Sequence, residues 1–153
     1  MLFSSENSPV RVKNCEGKSV DAYFYWAPGQ GRAQHGAANP GIGQQVCRFG
    51  RASQATRCGQ VITTIGALNA TNPFTGVRMS IGNQILATGI APIPGDSGGP
   101  VFSGHIANGT ITGSYHFINP SSIHHGVTAT AFTGINQALA GTDTRICRHP
   151  VCS

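Results

Sequence analysis

Glycine and proline recur so often in this chain that a long helix has nowhere to grow. The 21 glycines and 9 prolines make up about a fifth of its 153 residues. Glycine gives up backbone order and proline lacks the N–H that a helix or central strand needs. Between them lie short apolar runs at residues 46–49, 60–68, 77–81, 85–90, 100–103, 110–117 and 127–131. Turn-forming pairs such as Gly82-Asn83, Asn108-Gly109 and Asn119-Pro120 separate these runs. Regular short strands with glycine-rich turns predict an all-β antiparallel sandwich or barrel. A single helix is expected over residues 133–140, where Phe132, Ile135 and Leu139 recur at i, i+3 and i+7 and Gly141 stands in the capping position. The aromatic run at 21–26 reads as a strand. Residues 27–45, rich in glycine, read as a long connection.

Charge narrows the classes further. Charged residues are 10% of the chain, against a usual share of about 25%, which excludes a charge-rich disordered chain or a coiled coil. No run approaches the roughly 20 apolar residues of a membrane-spanning helix, so a membrane partner is not expected. Ten basic residues against five acidic give a net charge of +5. Arg48, Arg51 and Arg57 cluster, but no aromatic residues are interleaved for base stacking, and nucleic acid is not expected as a partner.

Five cysteines, Cys15, Cys47, Cys58, Cys147 and Cys152, show no paired C-x-x-C pattern, so no metal is expected. Cys47 and Cys58 flank a short loop rich in Gly, Ser and Arg, as a disulfide would. Cys147 and Cys152 form a second possible pair, which leaves Cys15 over. Sequons at Asn69 and Asn108 agree with an oxidising, extracellular setting. Residues 1–6 do not read as a signal peptide, so the expectation is that the protein's true beginning lies further upstream.

One constellation carries chemistry. Between residues 79 and 142 a single side chain is formally charged, Asp96, in Pro94-Gly95-Asp96-Ser97-Gly98-Gly99-Pro100-Val101. Such a carboxylate either sits at a surface turn or is buried and paired. If buried, it needs a cation from elsewhere in the chain, because an unpaired buried charge costs several kcal/mol. Three glycines around one serine allow sharp turns and leave N–H groups unobstructed. Two such groups beside the hydroxyl would form an anion hole. The bare pentapeptide Gly-Asp-Ser-Gly-Gly also occurs as a plain surface turn.

This segment, together with residues 46–51, residues 57–61 and the run from Val127 to Ala140, resembles the chymotrypsin-like serine endopeptidases. The likeness is greatest to the bacterial branch that includes streptogrisins and alpha-lytic protease, and it covers about residues 44–140. It implies a chymotrypsin-like antiparallel β-barrel: a complete second barrel at 44–141, a remnant of the first barrel and the connection at 1–43, and a tail at 142–153. By resemblance, Ser97 is the nucleophile, and the N–H groups of Gly95 and Ser97 form the oxyanion hole. Arg48 pairs with Asp96. Thr112, Gly113 and Ser114 line the substrate strand, and Ala91, Pro92 and Ile93 the base of the specificity pocket. No carboxylate lies there, which implies an apolar or small side chain at the cleaved position. No cofactor is implied. The partner is a peptide or protein substrate.

The resemblance also requires a histidine base and an aspartate to orient it. Asp21 takes the aspartate position, although an aspartate before a strand is equally an ordinary turn residue. No histidine precedes His35, and His35, after Asp21 in a glycine-rich connection, is a poor substitute. The expectation is therefore a serine endopeptidase that is N-terminally truncated, with the barrel face that a first barrel would cover left to self-association. Two alternatives are a catalytically inactive homologue acting as a secreted binding module, and an unrelated secreted β-sandwich with a coincidental motif.

Overall fold

The computed structural model describes residues 12–13, 19–20, 23–71 and 75–140. Asp21, Cys15, Cys147, Cys152, Gly141 and His149 lie outside them. The strands run β1 (Val12–Lys13), β2 (Ser19–Val20), β3 (Tyr23–Ala27), β4 (Gln30–Ala33), β5 (Gly36–Ala37), β6 (Gln45–Gly50), β7 (Ala55–Thr71), β8 (Arg78–Thr88), β9 (Pro100–Ser103), β10 (Ile106–His116) and β11 (Thr128–Gly134), and α1 (Ile135–Leu139) follows.

Six of these strands close on themselves. The order is β11-β8-β7-β6-β9-β10, and β10 pairs back onto β11. Closure matters because an open sheet leaves an edge of unpaired N–H and C=O groups. β5 adds in parallel to β10 at Ile106 and Ala107. The described residues thus form an all-β barrel with one short helix.

Alternation along β6 shows how the sequence fills it. Side chains of a strand point to opposite faces in turn. Val46 joins Val61, Ile85, Val101, Ile111 and Phe132 in the barrel interior, and burying each such side chain contributes about 1.5–3 kcal/mol. Phe49 and Cys47 take the other face, where Phe49 packs with Phe102 and Ile135 under Tyr25 and Trp26. Cys47 lies opposite Cys58 in the β6–β7 register and is bonded to it, as the spacing led us to expect.

The structure corrects several sequence expectations. Runs 77–81 and 85–90 are joined in one strand, because Gly82-Asn83 does not turn: Asn83 takes a φ of +46° inside a ladder that continues on both sides. Asn108-Gly109 also lies within a strand. Asn108 is buried, accepting from Ser103 Oγ at 2.6 Å and donating to Ala38 O at 2.9 Å, so it is no glycan acceptor. Phe132 belongs to β11, where pairing to β8 and β10 outweighs helical spacing, and the helix is only Ile135–Leu139. Residues 27–45 are not one connection. Gly29, with φ +65°, turns β4 back onto β3, and β5 follows.

Candidate functional site

The serine loop is built from two tight turns in series. Asp96 N donates to Ile93 O at 3.0 Å, and Gly99 N donates to Asp96 O at 3.0 Å. Each turn places a glycine third, Gly95 at φ +94° and Gly98 at φ +84°. That is the position where a type II turn needs a positive φ, and Pro94 supplies the favoured second residue of the first turn. Gly98 N then donates to Ile111 O at 2.8 Å, and Ile111 N to Gly99 O at 3.0 Å, which fastens the loop to β10.

Of the amides from Gly95 to Gly99, three are therefore engaged. The N–H groups of Gly95 and Ser97 donate to no acceptor among the described residues. Both residues are exposed, and both line a cleft of about 690 Å³ beside the loop, together with Tyr25, Phe49, Arg51 and Gln54. No histidine lines it among the described residues.

The loop rests on a buried ion pair. Arg48 and Asp96 are each 1% exposed, and Arg48 Nη1 lies 3.2 Å from Asp96 Oδ2. Asp96 also accepts from Ser53 N at 2.8 Å and Ile93 N at 3.2 Å. The guanidinium donates further to Ile90 O at 3.1 Å, Ala55 O at 3.1 Å, Ser53 Oγ at 2.8 Å and Ala91 O. Burial alone would raise the Asp96 carboxyl. The hydrogen bonds from Ser53 and Ile93 and the charge of Arg48 outweigh it and hold the group below the ordinary carboxylate value. Burial pulls the Arg48 guanidinium down, Asp96 opposes this, and Arg57 adds to the lowering. Gly50 makes room for the pair, since a Cβ there would overlap the Asp96 carboxylate.

The other sequence-selected residues of the described chain lie outside the lining of that cleft. Ile90 and Ala91 present their carbonyls to Arg48, Pro92 follows, and the Ile93 side chain is 49% exposed. Thr112 Oγ1 lies 3.0 Å from Thr133 Oγ1, and Gly113 follows a bulge in the β10–β11 pairing. Just beyond β10, Phe117 N donates to Val127 O and Phe117 O accepts from Gly126 N, in the segment that leads into β11. Strand alternation then aims the main chain of Ser114 at the opposite edge of β10, which β9 covers only as far as Thr110. None of Ala91, Pro92, Ile93, Thr112, Gly113 or Ser114 lines the Ser97 cleft.

Sequence reasoning passed over Ser53, Arg51 and Tyr25. Ser53 carries a readable signal: it stands in the turn between two bonded cysteines, where a short hydroxyl residue commonly ties back to the chain. Arg51 and Tyr25 carry none that a single sequence reveals.

No protein-family model matches the chain, and no curated protein matches it. Solved structures do. A glutamic acid specific serine protease superposes with a TM-score of 0.57 at 22% identity, over 81% of this chain and 59% of that one. The chymotrypsin of Cellulomonas bogoriensis gives 0.57 at 24%, over 77% and 57%. Protease A of Thermobifida fusca gives 0.56 at 24%, over 77% and 56%. This chain thus spans a little over half the length of each, and what it shares with them is a fold, that of the bacterial chymotrypsin-like serine proteases.

Proposed function

We propose that this chain carries the nucleophile-bearing barrel of an extracellular serine endopeptidase, with residues 1–43 read as part of a first barrel and its connection. Peptide-bond cleavage is a matter of placing charge. Ser97 Oγ attacks the scissile carbonyl carbon, and the Oγ proton passes to a general base. The carbonyl oxygen becomes an oxyanion, which the Gly95 and Ser97 N–H groups would receive. Collapse breaks the C–N bond, the amine leaves with a proton from the base, and water later releases the acyl group from Ser97. Each such donor is worth about 3–4 kcal/mol of barrier. The observation that carries the reading is the selective use of the loop amides: three are engaged, and the two needed for an oxyanion are left unengaged.

Asp96 supports this without touching substrate. A carboxylate free to move would compete for those N–H groups; held on Arg48 and Ser53, it stays behind the loop. The strand edge at Thr112 and Ser114 takes the acyl half of the substrate, and Ala91, Pro92 and Ile93 lie toward the side chain at the cleaved position.

The base is the open part of the reading. Because no described histidine lines the Ser97 cleft, the base must be delivered to it, with Asp21 as the proposed orienting carboxylate. A fluorophosphonate reacts with an activated serine hydroxyl, so it tests this directly. The expected result is weak labelling of Ser97 in this chain, rising with added imidazole as a substitute base and absent in Ser97→Ala. Residual rates of about 10³–10⁴-fold over water are what such sites keep without a triad. Labelling that imidazole does not raise and Ser97→Ala does not abolish would refute it. That no described residue of the cleft lining is a histidine also favours a second reading, an inactive homologue that binds peptides; no labelling under any condition would select it.

A further inference from the structure

The Ser97 cleft is lopsided in charge. Among the described residues, two charged ones line it. Asp96 is buried and fully engaged with Arg48 and two N–H groups. Arg51 stands at the start of the β6–β7 turn and is exposed. Among the described residues its guanidinium makes no ion pair and no hydrogen bond. Among the described residues, Arg51 is therefore the one charge in the lining of the Ser97 cleft that has no counter-charge. Tyr25 and Phe49 make up part of the same lining.

The cleft also lies on one side of the serine. A Cβ on Gly99 would meet both Phe49 O, from β6, and Ile111 Cδ1, from β10. The loop thus bridges β6 and β10. The stretch of β10 from Ile111 to Ser114 contributes no residue to the cleft lining, which Phe49, Arg51 and Gln54 help to form. A substrate whose acyl half follows β10 must send its leaving half into the cleft.

We propose that Arg51 selects the leaving half of the substrate, favouring Asp or Glu at the first two residues after the cleaved bond. This rests on the reading of Ser97 given above. A guanidinium offers a planar fork of donors that a carboxylate can accept in pairs. Two extended residues cover roughly 7 Å, a span that a cleft of about 690 Å³ accommodates. Among the described residues, Asp96 is the only carboxylate in the lining, and Arg48 engages it. Arg48, the other arginine close to the loop, is buried and engaged with Asp96.

The test is a binding ratio, so it does not depend on turnover. The Ser97→Ala chain is titrated with two tetrapeptide amides, Ala-Asp-Ala-Gly and Ala-Asn-Ala-Gly, each fluorescein-labelled at its C-terminal end, and anisotropy is read at low ionic strength. The Asp peptide is expected to bind about 3–5-fold more tightly, the range of an accessible ion pair, with the ratio shrinking as salt is added. Arg51→Ala brings the ratio to about one, Arg51→Glu inverts it, and Arg51→Lys keeps part of it. Arg57→Ala removes an equal charge from β7, outside the cleft lining, and leaves the ratio unchanged. A ratio of one in the starting chain, or one that follows Arg57 instead of Arg51, overturns the proposal. Fluorophosphonate labelling of the chain with Ser97 intact separates the two failures. A labelled serine with a ratio of one removes Arg51 and keeps the proteolytic reading. A ratio that follows Arg51 in a chain whose serine never labels keeps the carboxylate site and removes that reading.

Discussion

Of the polar networks among the described residues of this barrel, two are built on different terms. Arg48 and Asp96 form a charged one, in which neither residue leaves a buried polar atom without a partner. Gln84, Thr133 and Thr112 form a neutral one: Gln84 Nε2 donates to Thr133 Oγ1 at 3.0 Å and to Gly82 O at 3.2 Å, and Thr133 Oγ1 meets Thr112 Oγ1. There, Gln84 Oε1 is buried with no partner. The difference follows from magnitude. An unpaired neutral acceptor costs about 1–3 kcal/mol, which a fold can absorb. An unpaired buried charge costs several kcal/mol, and no buried nitrogen or oxygen of the Arg48 or Asp96 side chain is left without a partner. The charged network sits under the serine loop and fixes three of its neighbours, Ile90, Ala91 and Ile93, through their main chain.

Asp96→Asn is the hardest test of that contrast. It leaves Arg48 buried without its counter-charge and should cost about 3–5 kcal/mol in a denaturant titration. A loss under about 1 kcal/mol would mean that the pair is not buried as described. Next comes the bridge that staples the β6 end of this network. Replacing Cys47 and Cys58 together by alanine should cost about 2–3 kcal/mol, as expected for a loop of this length. An unchanged midpoint would remove the bridge from the account.

Acid probes the same pair without mutation. The Asp96 carboxyl is held below its unfolded value of about 3.9. Its contribution is therefore complete above that pH and is lost as pH falls through the lower native value. Stability measured across the acid range should decline there, and the decline attributable to Asp96 should be missing in Asp96→Asn. Smallest of all should be Gln84→Met. It gives up two hydrogen bonds but also removes the orphaned acceptor, and the chain should stay within about 1.5 kcal/mol of its starting stability. A loss as large as that of Asp96→Asn would erase the distinction between the two networks.

The sequence exposed the charged network more fully than the neutral one. Asp96 was conspicuous as the single formal charge between residues 79 and 142, which posed the question of a cation, and the structure sets Arg48 against it. The glycines around Ser97 were visible too, and they take the positive φ values that the paired turns need. Gln84 was silent, because a glutamine in a strand looks the same whether it faces solvent or core. Asn83 and Gly109 misled, since residues that favour turns also fit bulges and close approaches within a long ladder. Ser53 and Arg51 belong to a short turn, where neither period two nor period 3.6 operates. Arg51 reaches its cleft beside Ser97, and Ser53 its place against Asp96, only when β6 and the serine loop come together in space.

Residue-resolved amide hydrogen exchange on the free chain tests the central claim most directly. With three loop amides bonded and two unengaged, Asp96, Gly98 and Gly99 should be protected, while Gly95 and Ser97 exchange close to the rate of an unstructured peptide. Protection at Gly95 or Ser97 in the free chain, or rapid exchange at Gly98, would contradict the proposed anion-binding loop.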